Sequence, residues 1–415
     1  MPSESLDVVV IGGGPAGATA ATLVAEQGFR VALLERERTP PFKVGESLVP
    51  YTYETFARLG IVEQLKKSHF QKKHSVQFFS ASGRGSAPFY FSETDPHERS
   101  TTWQVRRSEF DALLLENAAD RGVEVHQGIQ VQDVVFENGR AAGVRARSAD
   151  GPGFELPARV VVDATGRSAL IARKLGLKIP EPHLRKISIF SHFRGARRDP
   201  GVDEGATLIM HTRNRDSWFW YIPLAGDVVS VGVVGDLADL VPGAGQAQRR
   251  FDEEIRNCPA LETRLEGAEQ AIPVRVVQDF SYCAERISGD GWVLVGDAFA
   301  FLDPIYSTGV LLALKSGELA ADTIGRCLRE GDLSGAALGS FAEEFIAGIR
   351  AFRKVVYAFY DRRFNFADFL KAHPECRQGV IDVLSGNVFG SGVESIFGPM
   401  ESMARLPEDQ SVGAV

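Results

Sequence analysis

Residues 6–36 leave the chain little freedom. Leu6 to Ile11 is an unbroken apolar run, Gly12-Gly13-Gly14-Pro15-Ala16-Gly17 follows, and Ala18 to Gln27 is rich in small residues. Arg30 to Leu34 is a second apolar run, closed by Glu35. The pattern predicts strand, tight turn, helix, strand, with Gly28 as the helix C-cap. Gly12, Gly14 and Gly17 give the spacing G-x-G-x-x-G. The first allows the turn, the second lets backbone approach a pyrophosphate, and the third lets helix and strand pack closely. The helix N-terminus offers unpaired N–H groups and positive dipole to phosphates. Glu35 is spaced to accept from ribose hydroxyls, and its charge disfavours a 2′-phosphate. A chain that starts this way builds a parallel sheet with a dinucleotide across its strand ends.

The chain has 415 residues, 44% hydrophobic and 24% charged, enough for two domains or one large one with an inserted sheet. The net charge of -8 is spread without basic blocks, so no nucleic-acid partner is expected. Cys258, Cys283, Cys327 and Cys376 are scattered. They read as reduced thiols of a cytoplasmic protein. The N-terminus lacks a basic, signal-like start, and no apolar run is long enough to span a bilayer. The eight histidines show no metal spacing.

Two later strands point at the same site. Val160-Val161-Val162-Asp163-Ala164-Thr165-Gly166-Arg167 is a strand entering a small-residue turn, and Gly291 to Val295 is a strand ending in Gly296-Asp297. A carboxylate at such a strand tip can reach a polyol hydroxyl. The rarest stretch is Trp218-Phe219-Trp220-Tyr221-Ile222-Pro223. On a strand, Trp218 and Trp220 share one face and form a broad indole wall, and Pro223 ends or edges the strand. A plain core strand is the competing reading.

Together these motifs resemble the flavoprotein monooxygenase superfamily over roughly residues 5–325. Within it, W-x-W-x-I-P at Trp218, Trp220, Ile222 and Pro223 resembles the signature of flavin-dependent halogenases of phenol or pyrrole type. The resemblance implies FAD against Gly12, Gly14, Ala16, Gly17, Glu35, Arg36, Gly45, Glu46, Ser47, Arg107, Asp163, Gly296, Asp297, Pro304, Gly309 and Val310. Arg106 competes with Arg107. It implies chloride or bromide at the turn Ser307-Thr308-Gly309, where backbone N–H groups form a nest. It also implies a lysine that receives hypohalous acid. Phe70-Gln71-Lys72-Lys73-His74-Ser75-Val76-Gln77-Phe78 is similar to F-x-x-K-x-G-x-x-F, which selects Lys73, with Lys72 and Lys43 as rivals. Ser75 stands where the pattern has glycine. The indoles Trp218 and Trp220 are implied to bar organic substrates from the flavin while passing small species. Tyr306 stands where tryptophan halogenases carry a glutamate, which argues against free tryptophan as substrate. Reduced FAD would come from a separate flavin reductase, since no second dinucleotide loop is visible. The aromatic substrate is expected free or tethered to a carrier protein.

The expected architecture is α/β: a Rossmann-like, hydroxylase-type FAD-binding domain (1–70, 106–180, 286–330) and an inserted antiparallel sheet (71–105, 181–285). A helical tail (331–415) follows, with one helix from Leu338 to Asn365. The short tail predicts a substrate chamber that is open or closed by a partner. The competing functions are a flavin monooxygenase or prenyl-type reductase on the same fold, and a flavin carrier without turnover.

Overall fold

The computed structural model describes residues 6–148, 151–390 and 392–408. Among these residues two large sheets carry the architecture. The first is built outward from Leu6–Ile11, which pairs in parallel with Gly153–Asp163 on one side and Val31–Glu35 on the other. Trp292–Leu294 and Glu124–Gln127 extend it, also in parallel. Val8, Val9 and Val10 have no exposed surface. A parallel strand covered on both faces needs this continuous apolar run.

The first helix spans Pro15–Ala25, starting inside the glycine loop rather than at Ala18. Pro15 explains the early start, because its fixed φ suits the first helical position and its missing N–H costs nothing there. Gly28 takes φ +89° three residues beyond the helix end, so it forms the return turn rather than the cap itself. The long helix Gly309–Glu330 lies against this helix. A Cβ on Gly317 would stand 2.6 Å from Ala16 O, so glycine sets how close the two helices come.

The second sheet contains Arg275–Ala284, Lys178–Arg194, Val228–Asp236, Ser217–Leu224, Thr207–His211 and Ser75–Phe79 in spatial order. Most neighbours are antiparallel, as expected, but Thr207–His211 and Ser75–Phe79 run in parallel. These two strands come from distant parts of the chain, so no tight hairpin dictates their direction. Pro223 does not end its strand, which runs to Leu224. It lies past the last residue, Tyr221, paired with Thr207–His211, where a missing N–H breaks no bond on that side.

The tail differs from the expected single helix. Gly335–Leu338 and Ala342–Tyr360 are separate helices, and Asn365 caps a third, Phe366–Ala372, by accepting from Asp368 N at 2.7 Å. The apolar spacing at Phe345, Ile349, Phe352 and Val356 is buried as the periodicity requires. No helix among the described residues is long and apolar enough to cross a membrane.

Ser217–Leu224 is buried along its whole length. Trp218, Trp220 and Ile222 join the core shared with the first sheet, while Phe219 and Tyr221 join a second core behind it. Trp220 lies across Gly232 of the neighbouring strand, where an added Cβ would stand 2.2 Å from the indole. Gly232→Ala should therefore push the indole out of place and lower stability by about 1–3 kcal/mol in urea unfolding. An unchanged midpoint would show that Trp220 is not held there.

Candidate functional site

The edges of both sheets enclose a cavity of about 1200 Å³. Its floor is the glycine loop. Gly12 has φ +106°, and a Cβ there would stand 2.4 Å from Ala164 O, so only glycine lets the two strand ends meet. Glu35 is nearly buried at the end of its strand and accepts from Gly13 N at 2.6 Å and Glu37 N at 3.0 Å. Its carboxylate thus fixes the loop as well as facing the cavity.

Most residues expected at a flavin line this cavity: Gly12, Gly14, Ala16, Glu35, Arg36, Gly45, Glu46, Ser47, Arg107, Asp297, Pro304, Gly309 and Val310. Ser307 and Trp220 line it too. Arg107 is the buried choice over Arg106. It forms a two-bond pair with Asp111 at 2.9 and 3.0 Å and donates to Val44 O at 2.9 Å, whereas Arg106 donates to Ala225 O away from the cavity lining. Glu46 is buried with Oε1 3.0 Å from His192 Nε2, although the two are poorly aligned for a hydrogen bond.

Other expected site residues stand one layer back. A Cβ on Gly17 would lie 2.0 Å from Gly12 O, so Gly17 serves packing. Asp163 is fully buried and holds its turn by accepting from Thr165 N, Thr165 Oγ1 and Ile171 N at 3.0, 2.7 and 2.7 Å. Burial raises its pKa, and these bonds oppose the rise. Gly296 donates to Ser316 Oγ at 2.8 Å and turns the chain at φ +57°, which delivers Asp297 to the cavity. Thr308 occupies the N-cap position of the helix Gly309–Glu330 without a side-chain capping bond. Ser307 is left-handed at φ +57° and Thr308 right-handed, the alternation that turns consecutive N–H groups toward one concave side.

The two indoles divide. Trp220 faces the cavity and is pinned by its N–H to Ser230 Oγ at 3.2 Å. Trp218 lies farther along the strand, its N–H donated to Tyr360 Oη at 3.0 Å, and Tyr360 donates in turn to Asp303. Phe359, from the tail, packs edge-on against both Trp218 and Tyr306. Phe366 packs edge-on against Tyr306. The chain's own tail therefore covers this end of the wall. Tyr306 is buried and donates to Val355 O at 3.2 Å.

Lys73 is 2% exposed, whereas Lys72 beside it points to solvent and Lys43 sits at the cavity rim, 3.7 Å from Asp111. Lys73 Nζ donates to Ser47 Oγ and Leu48 O, both at 2.9 Å, and lies over the Phe91 ring. Both acceptors are neutral. Burial pulls its pKa from 10.5 to about 7. It meets the cavity through Ser47.

Sequence reasoning missed several cavity residues. Phe42 stacks on Phe190 at 5.7 Å, and the Arg275 guanidinium lies over its ring at 4.9 Å. Thr207 contributes a hydroxyl 2.8 Å from Ser47 Oγ. They sit on strands or loops without a motif, and only pairing in space brings them together.

The cavity is long, floored by glycines a Cβ would fill, met by a helix N-terminus and walled by polar residues at strand tips. These features fit an extended dinucleotide with a flat ring system, and together they define an FAD-binding flavoprotein of the doubly wound type. The family model for the FAD binding domain matches residues 5–333. The chain is 31% identical over 432 residues to the 1H-pyrrole-2-carbonyl peptidyl-carrier protein chlorinase of Pseudomonas fluorescens, covering 99% of this chain and 95% of that protein. It is 32% identical over 332 residues to the corresponding brominase of Pseudoalteromonas luteoviolacea, covering 79% of each. The solved structure of the flavin-dependent brominase Bmp2 superposes with a TM-score of 0.85 at 29% identity, covering 96% of this chain and 98% of that one. The chain belongs to the flavin-dependent halogenase family, and it is an FAD-dependent halogenating enzyme.

The buried lysine carries a testable pH signature. Its folded pKa lies below the ordinary value, so the folded state binds this proton less readily than the unfolded one. The resulting penalty is absent above about 10.5, grows as pH falls toward about 7, and is constant below that. Lys73→Met removes it. The melting temperature of the variant relative to wild type should climb by a few degrees across that window and then level off. A flat difference would show that the amine is solvated.

Proposed function

We propose that this halogenase acts on an electron-rich phenol or pyrrole ring, presented by a carrier protein, at the amine of Lys73. The observation that carries the reading is that amine: buried, held only by neutral acceptors, and one hydroxyl away from the flavin cavity. With its pKa lowered to about 7, a large share of the amine carries a free lone pair for an electrophilic halogen at neutral pH. The names of the pyrrolyl carrier-protein halogenases above support a tethered substrate.

Bound reduced FAD supplies the oxidation of halide by O2 to hypohalous acid. The chain's residues do the rest. Gly12, Gly14 and the helix N-terminus would hold the pyrophosphate, and Glu35 the ribose. Arg107, Asp297 and the turn Pro304 to Val310 would hold the flavin end. Thr308 and Gly309 N–H groups would hold the halide. Trp220 closes the cavity against an organic ring, and its pinned N–H keeps the indole from swinging aside. Lys73 receives the halogen and presents it to the aromatic ring. Tyr306, fixed in an apolar cluster, supplies no carboxylate for the indole chemistry of tryptophan halogenases. The reduced cofactor would come from a separate flavin reductase.

The test is turnover with FAD reduced by a separate reductase, O2 and chloride or bromide. The acceptors are phenols, pyrrole-2-carboxylate, its carrier-bound thioester and free tryptophan. Halogenated carrier-bound pyrrole or phenol is expected, with none from tryptophan. Lys73→Met should lose product by about 10²-fold or more while still binding FAD. Equal product from Lys73→Met would refute the role of the amine, and faster halogenation of tryptophan would refute the substrate class.

A further inference from the structure

Ser47 and Thr207 are far apart in the chain and adjacent in space. Both are 2% exposed, both line the flavin cavity, and their hydroxyl oxygens are 2.8 Å apart. Each is fixed from behind. Lys73 Nζ donates to Ser47 Oγ, and Gln104 Nε2 donates to Thr207 Oγ1, both at 2.9 Å. Gln104 is itself locked by a second bond to Gly205 O and has no exposed surface.

The protons can be counted. One hydroxyl proton forms the bond between Ser47 and Thr207. Whichever oxygen donates it, the other hydroxyl proton is unused within this group, and both residues border the cavity. Thus one O–H donor is available to a small guest and is wired to the lysine. The amine's two bonds, to Ser47 Oγ and Leu48 O, use no more than the two N–H groups that its neutral form carries. Behind the pair, Gln104 Oε1 is a buried acceptor with no hydrogen-bond partner among the described residues.

We infer that the Ser47–Thr207 hydroxyl pair is the relay that receives hypohalous acid from the flavin cavity and hands its halogen to Lys73. The inference rests on the role proposed above for Lys73. The free hydroxyl donates to the oxygen of the acid. The amine lone pair forms a nitrogen–halogen bond as the oxygen–halogen bond breaks. The departing hydroxide takes the relay proton and becomes water, and the amine's proton refills the relay. Amine and hypohalous acid become N-haloamine and water. The halogen keeps its oxidation state, so no further reactant is needed.

The test is a single turnover of the full chain with reduced FAD, O2 and chloride, without an organic acceptor. The desalted protein is then assayed for oxidising equivalents with thionitrobenzoate. Lys73→Met sets the background. Wild type and Thr207→Ser should exceed it by close to one equivalent per chain, within about twofold of each other. Thr207→Val and Ser47→Ala should retain about tenfold less, with hypohalous acid released to monochlorodimedone instead. The recovery in Thr207→Ser separates loss of the hydroxyl from loss of structure. Wild-type equivalents in both Thr207→Val and Ser47→Ala would overturn the relay while leaving Lys73 in place. Equal equivalents in wild type and Lys73→Met would overturn the reading of Lys73 beneath it.

Discussion

The strand Ser217–Leu224 has no free face. A strand's side chains alternate, so one face must fill the flavin-side core with Trp218, Trp220 and Ile222, and the other must fill the second core with Phe219 and Tyr221. A slip of one residue would turn both indoles away from the cavity and drive Phe219 and Tyr221 into it. The register is therefore fixed by two cores at once, and with it the position of every residue on the neighbouring strands. Ile209 lies directly opposite Trp220, and Thr207 falls one residue beyond the Leu208–Tyr221 pair. The hydroxyl that meets Ser47 is placed by the packing of tryptophan.

Buried charge follows a different logic around the same cavity. Arg107 is matched by Asp111 at ion-pair distance, and Glu46 Oε1 has His192 Nε2 3.0 Å away. Lys73 alone among these groups is held only by neutral oxygens. Removing an ammonium from water without a counter-charge is expensive, so the protein relieves the cost by favouring the neutral amine. A carboxylate nearby would stabilise the fold and hold the proton on nitrogen, which would remove the lone pair. Stability and nucleophilicity pull in opposite directions at this residue, and the neutral surroundings settle the balance toward reactivity.

What the sequence made legible divides along physical lines. The glycine loop, the strand before it and the acid after it were readable because backbone geometry admits few residues there: Gly12 has carbonyl oxygen where a Cβ would be. Lys73 was separable from Lys72 by motif, and the strand's alternation gives the same answer, one lysine in and one out. Thr207, Gln104, Phe42 and Phe190 were not legible, because each is an ordinary strand or loop residue until a distant segment lies beside it. The parallel pairing of Thr207–His211 with Ser75–Phe79 was hidden for the same reason. The tail misled in another way. The apolar period continues through Tyr360, but Asn365 opens a new helix by capping it, so one periodic run becomes two helices joined by a turn.

That break in the tail has consequences for the site. The turn between the two helices carries Phe364, and its flanks carry Phe359, Tyr360 and Phe366. Phe359 and Phe366 reach the apolar cluster around Tyr306, while Tyr360 joins the Trp218 N–H to the Asp303 carboxylate. Asp303 also accepts from Ile305 N at 3.0 Å, at the start of the turn that presents Ser307 and Thr308. A single chain of bonds thus runs from the indole wall through the tail to the turn before Ser307. A straight helix would carry these aromatic residues past the wall in one direction. The break lets one face of the tail hold Trp218 rigid while the next closes over Tyr306. The turn between the helices is what lets the tail's aromatic residues cover this end of the wall.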